Sequence, residues 1–233
     1  MNRMNLRMTE ATKWARLRGA LPIAAAAAAI AACDTDVQNP GPVQDPILDQ
    51  PESQPALVNG MGRALSEGLN WLSYTGAAVT REIHPAGSTG SFGITPRWQR
   101  GELAEDDRDL DTHWELASTA RWLAEHGITR IEGTGPETPE LHALAYLYAG
   151  YANRNLGQHY CEAVIDGEGL QPHTVFFTRA EAAFTTAAEI GTDELATAAL
   201  AGRASVRASL GDWAGAGADA ALVPDAFVYR LDY

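Results

Sequence analysis

The chain has 233 residues, 45% of them apolar, and carries 30 aspartates and glutamates against 17 lysines and arginines, for a formal charge of −13. That balance repels a phosphate backbone and anionic headgroups alike, which excludes nucleic-acid binding and membrane attachment through a basic patch. The length and apolar content suffice for one real core.

The first element is a secretion signal. Arg3, Arg7, Lys13, Arg16 and Arg18 precede an apolar run from Ala20 to Ala32, which exits through Ile30-Ala31-Ala32-Cys33 into the polar Asp34-Thr35-Asp36. Basic, then apolar, then small is the order a signal peptide needs, and small residues before a cysteine read as the cleavage and acylation site of a bacterial lipoprotein. The run is shorter than the ~20 apolar residues that cross a bilayer as a helix, so the expected anchor is lipid. Residues 1–32 are expected to be removed and Cys33 to be lipidated, leaving 12 arginines against 29 acids and a charge near −17. Asp34, next to the lipid site, leaves inner- and outer-membrane retention both open.

From Cys33 to Gln54, Pro40, Pro42, Pro46 and Pro51 stand among Asp, Gln and Asn, the composition of an extended tether. A helical domain is then expected over 55–233. Leu57, Met61, Leu65, Leu69 and Leu72 recur every three or four residues and predict a helix from Pro55 toward Glu82. Glycines and prolines forbid a regular element from His84 to Trp98. This loop and its approach hold the candidate ligand groups: Tyr74 and Arg81 on the helix end, then Phe92, Arg97, Trp98 and Gln99. A pyranose needs a flat aromatic face ringed by amide, carboxylate and guanidinium groups. The alternative is that Phe92 and Trp98 fold inward and staple the loop down.

The next helix is expected from Asp107 to His126, with Gly127 as its stop. Asp107-Arg108-Asp109-Leu110-Asp111 begins like a calcium loop, but Thr112 and Ser118 stand where that loop demands Gly and Glu. It reads as an acidic helix start favoured by the macrodipole.

Four more helices follow. Thr138 caps one that starts at Pro139 and stops at Gly157. Thr178 and Glu181 have capping-box spacing at the start of another, which stops at Gly191. Thr192 opens a third that Gly211 closes, and Asp212 opens a fourth that Pro224 ends. Together they read as two tetratricopeptide-like hairpins, 138–191 and 192–224, with residues 160–177 inserted in the first. Tyr146, Gly150 and Gly157 fit the first helix and turn of that repeat, and Ala180, Phe184 and Ala187 fit its second helix. Leu200, Ala204, Gly211-Asp212-Trp213, Ala216 and Ala220 fit the next unit. Two such repeats make no solenoid alone and must pack on other elements.

His159, Cys161 and His173 match no common zinc spacing, and Cys161 is left as a single thiol once Cys33 carries lipid. His113-Trp114-Glu115 is not a metalloprotease helix, and Gly87, Gly90 and Gly93 lack the context of a phosphate loop. No catalytic residue, cofactor or metal is expected.

Several stretches taken together resemble one family. Cys33-Asp34, Asn39-Pro40-Gly41, Leu57-Val58-Asn59-Gly60, Ala145-Tyr146-Leu147-Tyr148-Ala149-Gly150-Tyr151-Ala152 and Leu156-Gly157-Gln158-His159-Tyr160-Cys161-Glu162-Ala163-Val164-Ile165-Asp166-Gly167 are similar to the SusD/RagB family. The resemblance implies an all-α fold of tetratricopeptide hairpins with a large insertion and a lipid anchor in the outer membrane, facing the cell surface. It also implies non-catalytic capture of nutrients, often glycans, for a TonB-dependent transporter of the SusC type. Members of that family are about twice as long. The β-prone run Phe227 to Tyr233, with no polar taper, reads as the edge of a truncated sequence whose missing part would hold much of the binding surface. A second class stays open, a lipid-anchored helical scaffold that binds protein segments in its groove.

Overall fold

The computed structural model describes residues 44–84, 97–104 and 106–231. The signal segment, Cys33, the tether up to residue 43 and Phe92 lie outside them. The described residues form seven α-helices, in order α1 Asp45–Leu48, α2 Gln54–Val79, α3 Arg108–Thr134, α4 Pro139–His159, α5 Thr174–Ile190, α6 Asp193–Ser209 and α7 Trp213–Ala220. Between α4 and α5, strands β1 (Glu162–Val164) and β2 (Leu170–Pro172) form an antiparallel hairpin, with Glu162 opposite Pro172 and Val164 opposite Leu170. Among the described residues the architecture is all-α apart from this hairpin, which lies inside the expected insertion.

Each helix from α2 to α7 packs on the next, and α4 also touches α2 and α6. Of the predicted stripe of α2, Met61, Leu65 and Leu72 are buried and Leu57 and Leu69 half-buried; Val58, outside the stripe, is buried too, and with Met61 and Leu65 it joins Ile131 of α3 and Ala145 and Tyr148 of α4 in the core. A second cluster joins α4, α5 and α6 through Leu147, Phe184, Ala198 and Val206. The third, Leu72, Leu156, Ile165 and Phe176, seats the β-hairpin. Phe184 lies between two helices stripped of side chain: a Cβ on Gly150 or on Gly202 would stand 2.5 Å from its ring.

Several predicted boundaries move. Gly127 does not stop α3, which runs on to Thr134 and leaves through Gly135 at φ 83°. Gly127 is instead the seat of Met61, whose Cε occupies the place of a side chain there. Gly157 likewise stays inside α4, beneath the ring of Phe177. The capping box at Thr178 is not made: α5 begins a turn earlier, and Thr178 Oγ1 donates to the carbonyl of Thr174 at 3.0 Å. Burial of Phe176 and Phe177 draws that turn into the helix. Thr138 accepts from Leu141 N and Asp212 from Gly215 N where helix starts were expected, and Asp107 caps α3 by accepting from Asp109 N, whereas Thr192 precedes α6 with no side-chain cap bond. Helix α7 ends at Ala220, ahead of Pro224.

Residues 45–54, expected to close an extended tether, are helical turns. Gln54 is buried there. Its Nε2 donates to the carbonyl of Gly135 at 2.7 Å and to Thr134 Oγ1 at 3.0 Å, while its Oε1 accepts from Glu137 N at 2.7 Å. One amide thus satisfies the frayed end of α3 and the turn after it. At the other end, Phe227, Tyr229 and Leu231 face inward while Val228 and Arg230 face solvent, so the β-prone run is extended, yet no strand pairs with it among the described residues. Tyr229 stacks on Tyr151 of α4, with ring centroids 6.4 Å apart.

Candidate functional site

The residues predicted to hold a ligand, where described, are engaged with neighbours within the fold. Trp98 is 1% exposed and its indole N–H donates to Asp107 Oδ2 at 2.7 Å, so the inward alternative holds and no face is left for a sugar. Its edge meets the ring of His113, which stacks on Trp71 at 5.0 Å and shares a hydrogen bond with Thr75. Burial holds the imidazole of His113 below its ordinary pKa, against the pull of Asp109 and Asp107. Arg81 and Gln99 do meet, Arg81 Nε donating to the Gln99 carbonyl at 2.6 Å. Gln99 Nε2 in turn donates to the Ile83 carbonyl at 3.2 Å. That pair clasps the end of α2 to the turn at 97–100. Tyr74 sits edge-on to Trp71, and Arg97 faces solvent with Glu102 at 4.0 Å. Of the six, Phe92 lies outside the described residues.

A different set converges across α3, α4 and α5. Arg121, nearly buried on α3, grips Asp166 of the hairpin turn with both terminal nitrogens, at 2.6 and 3.1 Å, and Glu125 at 2.6 Å. Arg179 of α5 donates Nη1 to the same two carboxylates, at 3.0 Å to Asp166 and 3.2 Å to Glu125. The hydrogen bond from Arg121, aided by Arg179, holds the Asp166 carboxyl below its usual pKa. Glu125 Oε1 accepts from Asn153 Nδ2 at 2.9 Å, and that Nδ2 also reaches the Ala149 carbonyl at 3.0 Å. Asn153 is 1% exposed, and its Oδ1 has no hydrogen-bond partner.

Beside this network opens a groove of about 390 Å³. Ile128, Ala149 and Ala183 give it an apolar floor, and Glu125, Tyr146, Asn153, Arg179 and Thr186 give it polar walls. Tyr146 donates its hydroxyl to Glu132 at 2.6 Å; burial, then that bond, pushes its pKa up to about 12. The hydroxyl therefore stays protonated at any physiological pH and is fixed as a donor to Glu132. The groups of such a wall are set by neighbours rather than by a ligand, which is the condition for binding without a large ordering cost.

A second network is structural. Arg203 clamps Asp219 of α7 at 2.7 and 2.8 Å, and Arg207 joins Asp219 to Glu181 of α5 at 2.9 and 2.8 Å. His159 and His173 spend Nδ1 on carbonyls of the last turns of α4, those of Asn155 and Gly157. Cys161 is exposed as a free thiol. No helix among the described residues is long and apolar enough to cross a membrane.

Sequence reasoning missed the groove because its walls come from three distant stretches. Only the i,i+4 pair Arg121–Glu125 was visible as a local signal. Comparison with family models, with curated proteins and with solved structures finds no match to the chain.

Proposed function

We propose that this chain is a non-catalytic capture protein, anchored in the outer membrane through lipid on Cys33, which holds a nutrient, foremost a glycan, and passes it to a SusC-type TonB-dependent transporter. The observation that carries the reading is the preformed groove between α3, α4 and α5, whose apolar floor and polar walls suit a hydroxylated solute. The lipoprotein signal and the resemblance to the SusD/RagB family give the location and the partner. Phe184 seated between Gly150 and Gly202 is in keeping with tetratricopeptide-like hairpins at 138–191 and 192–224. Acyl chains and transporter together would hold the protein in place more firmly than either alone.

One observation favours the scaffold reading instead. Residues 227–231 lie extended with Phe227 and Tyr229 on the core of α4 and α6, which is how a bound protein segment would lie. Metabolic palmitate labelling, followed by detergent extraction and affinity capture, separates the two. The capture reading expects label on the protein, its loss in Cys33→Ser, and a large β-barrel transporter among the captured proteins. An unlabelled protein contradicts the anchor, and periplasmic assembly factors in place of a barrel support the scaffold.

A further inference from the structure

We infer that Arg154, on α4 beside Tyr151, anchors a binding site for a small monocarboxylic acid with an apolar body. Arg121, Arg130, Arg179, Arg203 and Arg207, the other described arginines that are not exposed, each pair with at least one carboxylate. Arg154 is half-buried and pairs with no carboxylate among the described residues, nor does any of its N–H groups donate to an acceptor there. Its Cζ lies over the ring of Tyr151 at 5.4 Å, a contact that attracts the charge without supplying an acceptor oxygen. A guanidinium drawn part-way out of water with no counter-charge is costly, and a bound anion removes the cost. Burial holds Arg154 below the ordinary arginine pKa, opposed only by Tyr151, whereas at Arg179 burial is outweighed by Asp166 and Glu125. Arg154 still carries its charge at neutral pH.

The surroundings set the class of anion. The Tyr151 hydroxyl donates to the Ala198 carbonyl of α6 at 3.2 Å, which fixes the ring beneath the guanidinium. That ring meets Phe184 edge-on at 5.0 Å and lies parallel to Tyr229 at 6.4 Å, while Phe227 packs on the same cluster. Tyr151, Phe227 and Tyr229 are only half-buried, so aromatic surface around Tyr151 stays within reach of solvent. One guanidinium matches one carboxylate through two parallel hydrogen bonds. A dianion such as phosphate would leave an excess negative charge on a chain already at −13, and a neutral ligand would leave Arg154 unmatched. An acid with an apolar body meets both needs, its carboxylate on Arg154 and its chain or ring on the aromatic surface. The inference is independent of what the groove between α3, α4 and α5 holds.

The test follows the Arg154 Nε–Hε resonance of the isotope-labelled full chain, assigned by its loss in Arg154→Met, while hydrocinnamate, hydrocinnamide or inorganic phosphate is added. A saturable shift with hydrocinnamate is expected, with the amide and phosphate each about tenfold weaker or more. By calorimetry, Arg154→Met should bind hydrocinnamate about tenfold more weakly than the parent, or worse. Methionine keeps much of the stem and removes an unmatched charge, so the variant should unfold at the parent's temperature or above. Hydrocinnamate should raise the unfolding temperature of the parent alone. No saturable shift, an amide or phosphate that binds as tightly as the acid, or undiminished binding by Arg154→Met overturns the site. A variant that unfolds well below the parent overturns the premise that Arg154 lacks a counter-charge. The palmitate and transporter results judge the capture reading separately.

Discussion

Phe184 is held by what its neighbours lack. Gly150 and Gly202 bring two helix backbones against one ring, and a methyl at either would overlap it. Gly150→Ala should therefore destabilise the fold. Overpacking costs about 1–3 kcal/mol, offset in part by the ~1 kcal/mol that alanine gains over glycine inside a helix. Gly217→Ala, in α7 where a Cβ meets nothing, carries only the gain. Urea unfolding should lower the midpoint for the first variant and hold or raise it for the second; a midpoint for Gly150→Ala at or above the parent's would contradict the packing. Glycines also show what a local reading confuses. Gly150 meets the ring of Phe184 in the next helix. Gly127 and Gly157 read as stops, because a glycine that ends a helix and one that admits Met61 or Phe177 look alike until the partner is known.

Among the elements, those set by short-range chemistry were legible and those set by distant packing were not. Thr138 before Pro139 names the start of α4 outright, through a hydroxyl that accepts from Leu141 N and a residue that needs no donor. Thr178 and Glu181 have equally good spacing, yet the helix starts upstream because two phenylalanines are buried there. The β-hairpin had a signal that went unread: Asp166-Gly167, directly after the apolar Ala163-Val164-Ile165, is a type I′ turn sequence. Both residues have positive φ, 55° and 78°, and Glu168 N donates to the Ile165 carbonyl across them at 3.0 Å. Asp166 then ties the hairpin to α3 and α5 through Arg121 and Arg179. Its carboxyl pKa lies lower in the folded protein than in the unfolded chain. The tie is therefore complete above the ordinary value of 3.8 and is lost as pH falls through the folded value. Solvent reaches Asp166, so the effect is local and screened. Amide exchange at 162–172 should accelerate relative to the helices as pH drops below about 4, after correction for intrinsic rates, and Asp166→Asn should show the faster exchange already at neutral pH. Equal protection of hairpin and helices across that range would contradict the clasp.

For the molecule as a whole, the helical class, the paired helices of the second half and the apolar stripe of α2 could be read from periodicity and caps. The site could not. Tyr74, Arg81, Arg97, Trp98 and Gln99 are close in sequence, and closeness in sequence suggested one surface. Trp98, the largest of them, proved worth more to the core, where its N–H meets Asp107. Glu125, Tyr146, Asn153 and Arg179 come from three helices and form one wall only after the helices pack. Nutrient capture by this chain requires that a solute occupy that wall. Amide chemical shifts of the isotope-labelled protein, recorded before and after saturation with maltose, cellobiose or xylobiose, test this directly. Shifts concentrated at 125–128, 146–153 and 179–186 are the predicted result. Shifts confined to 74–99, or a spectrum that none of the three sugars changes, would contradict it.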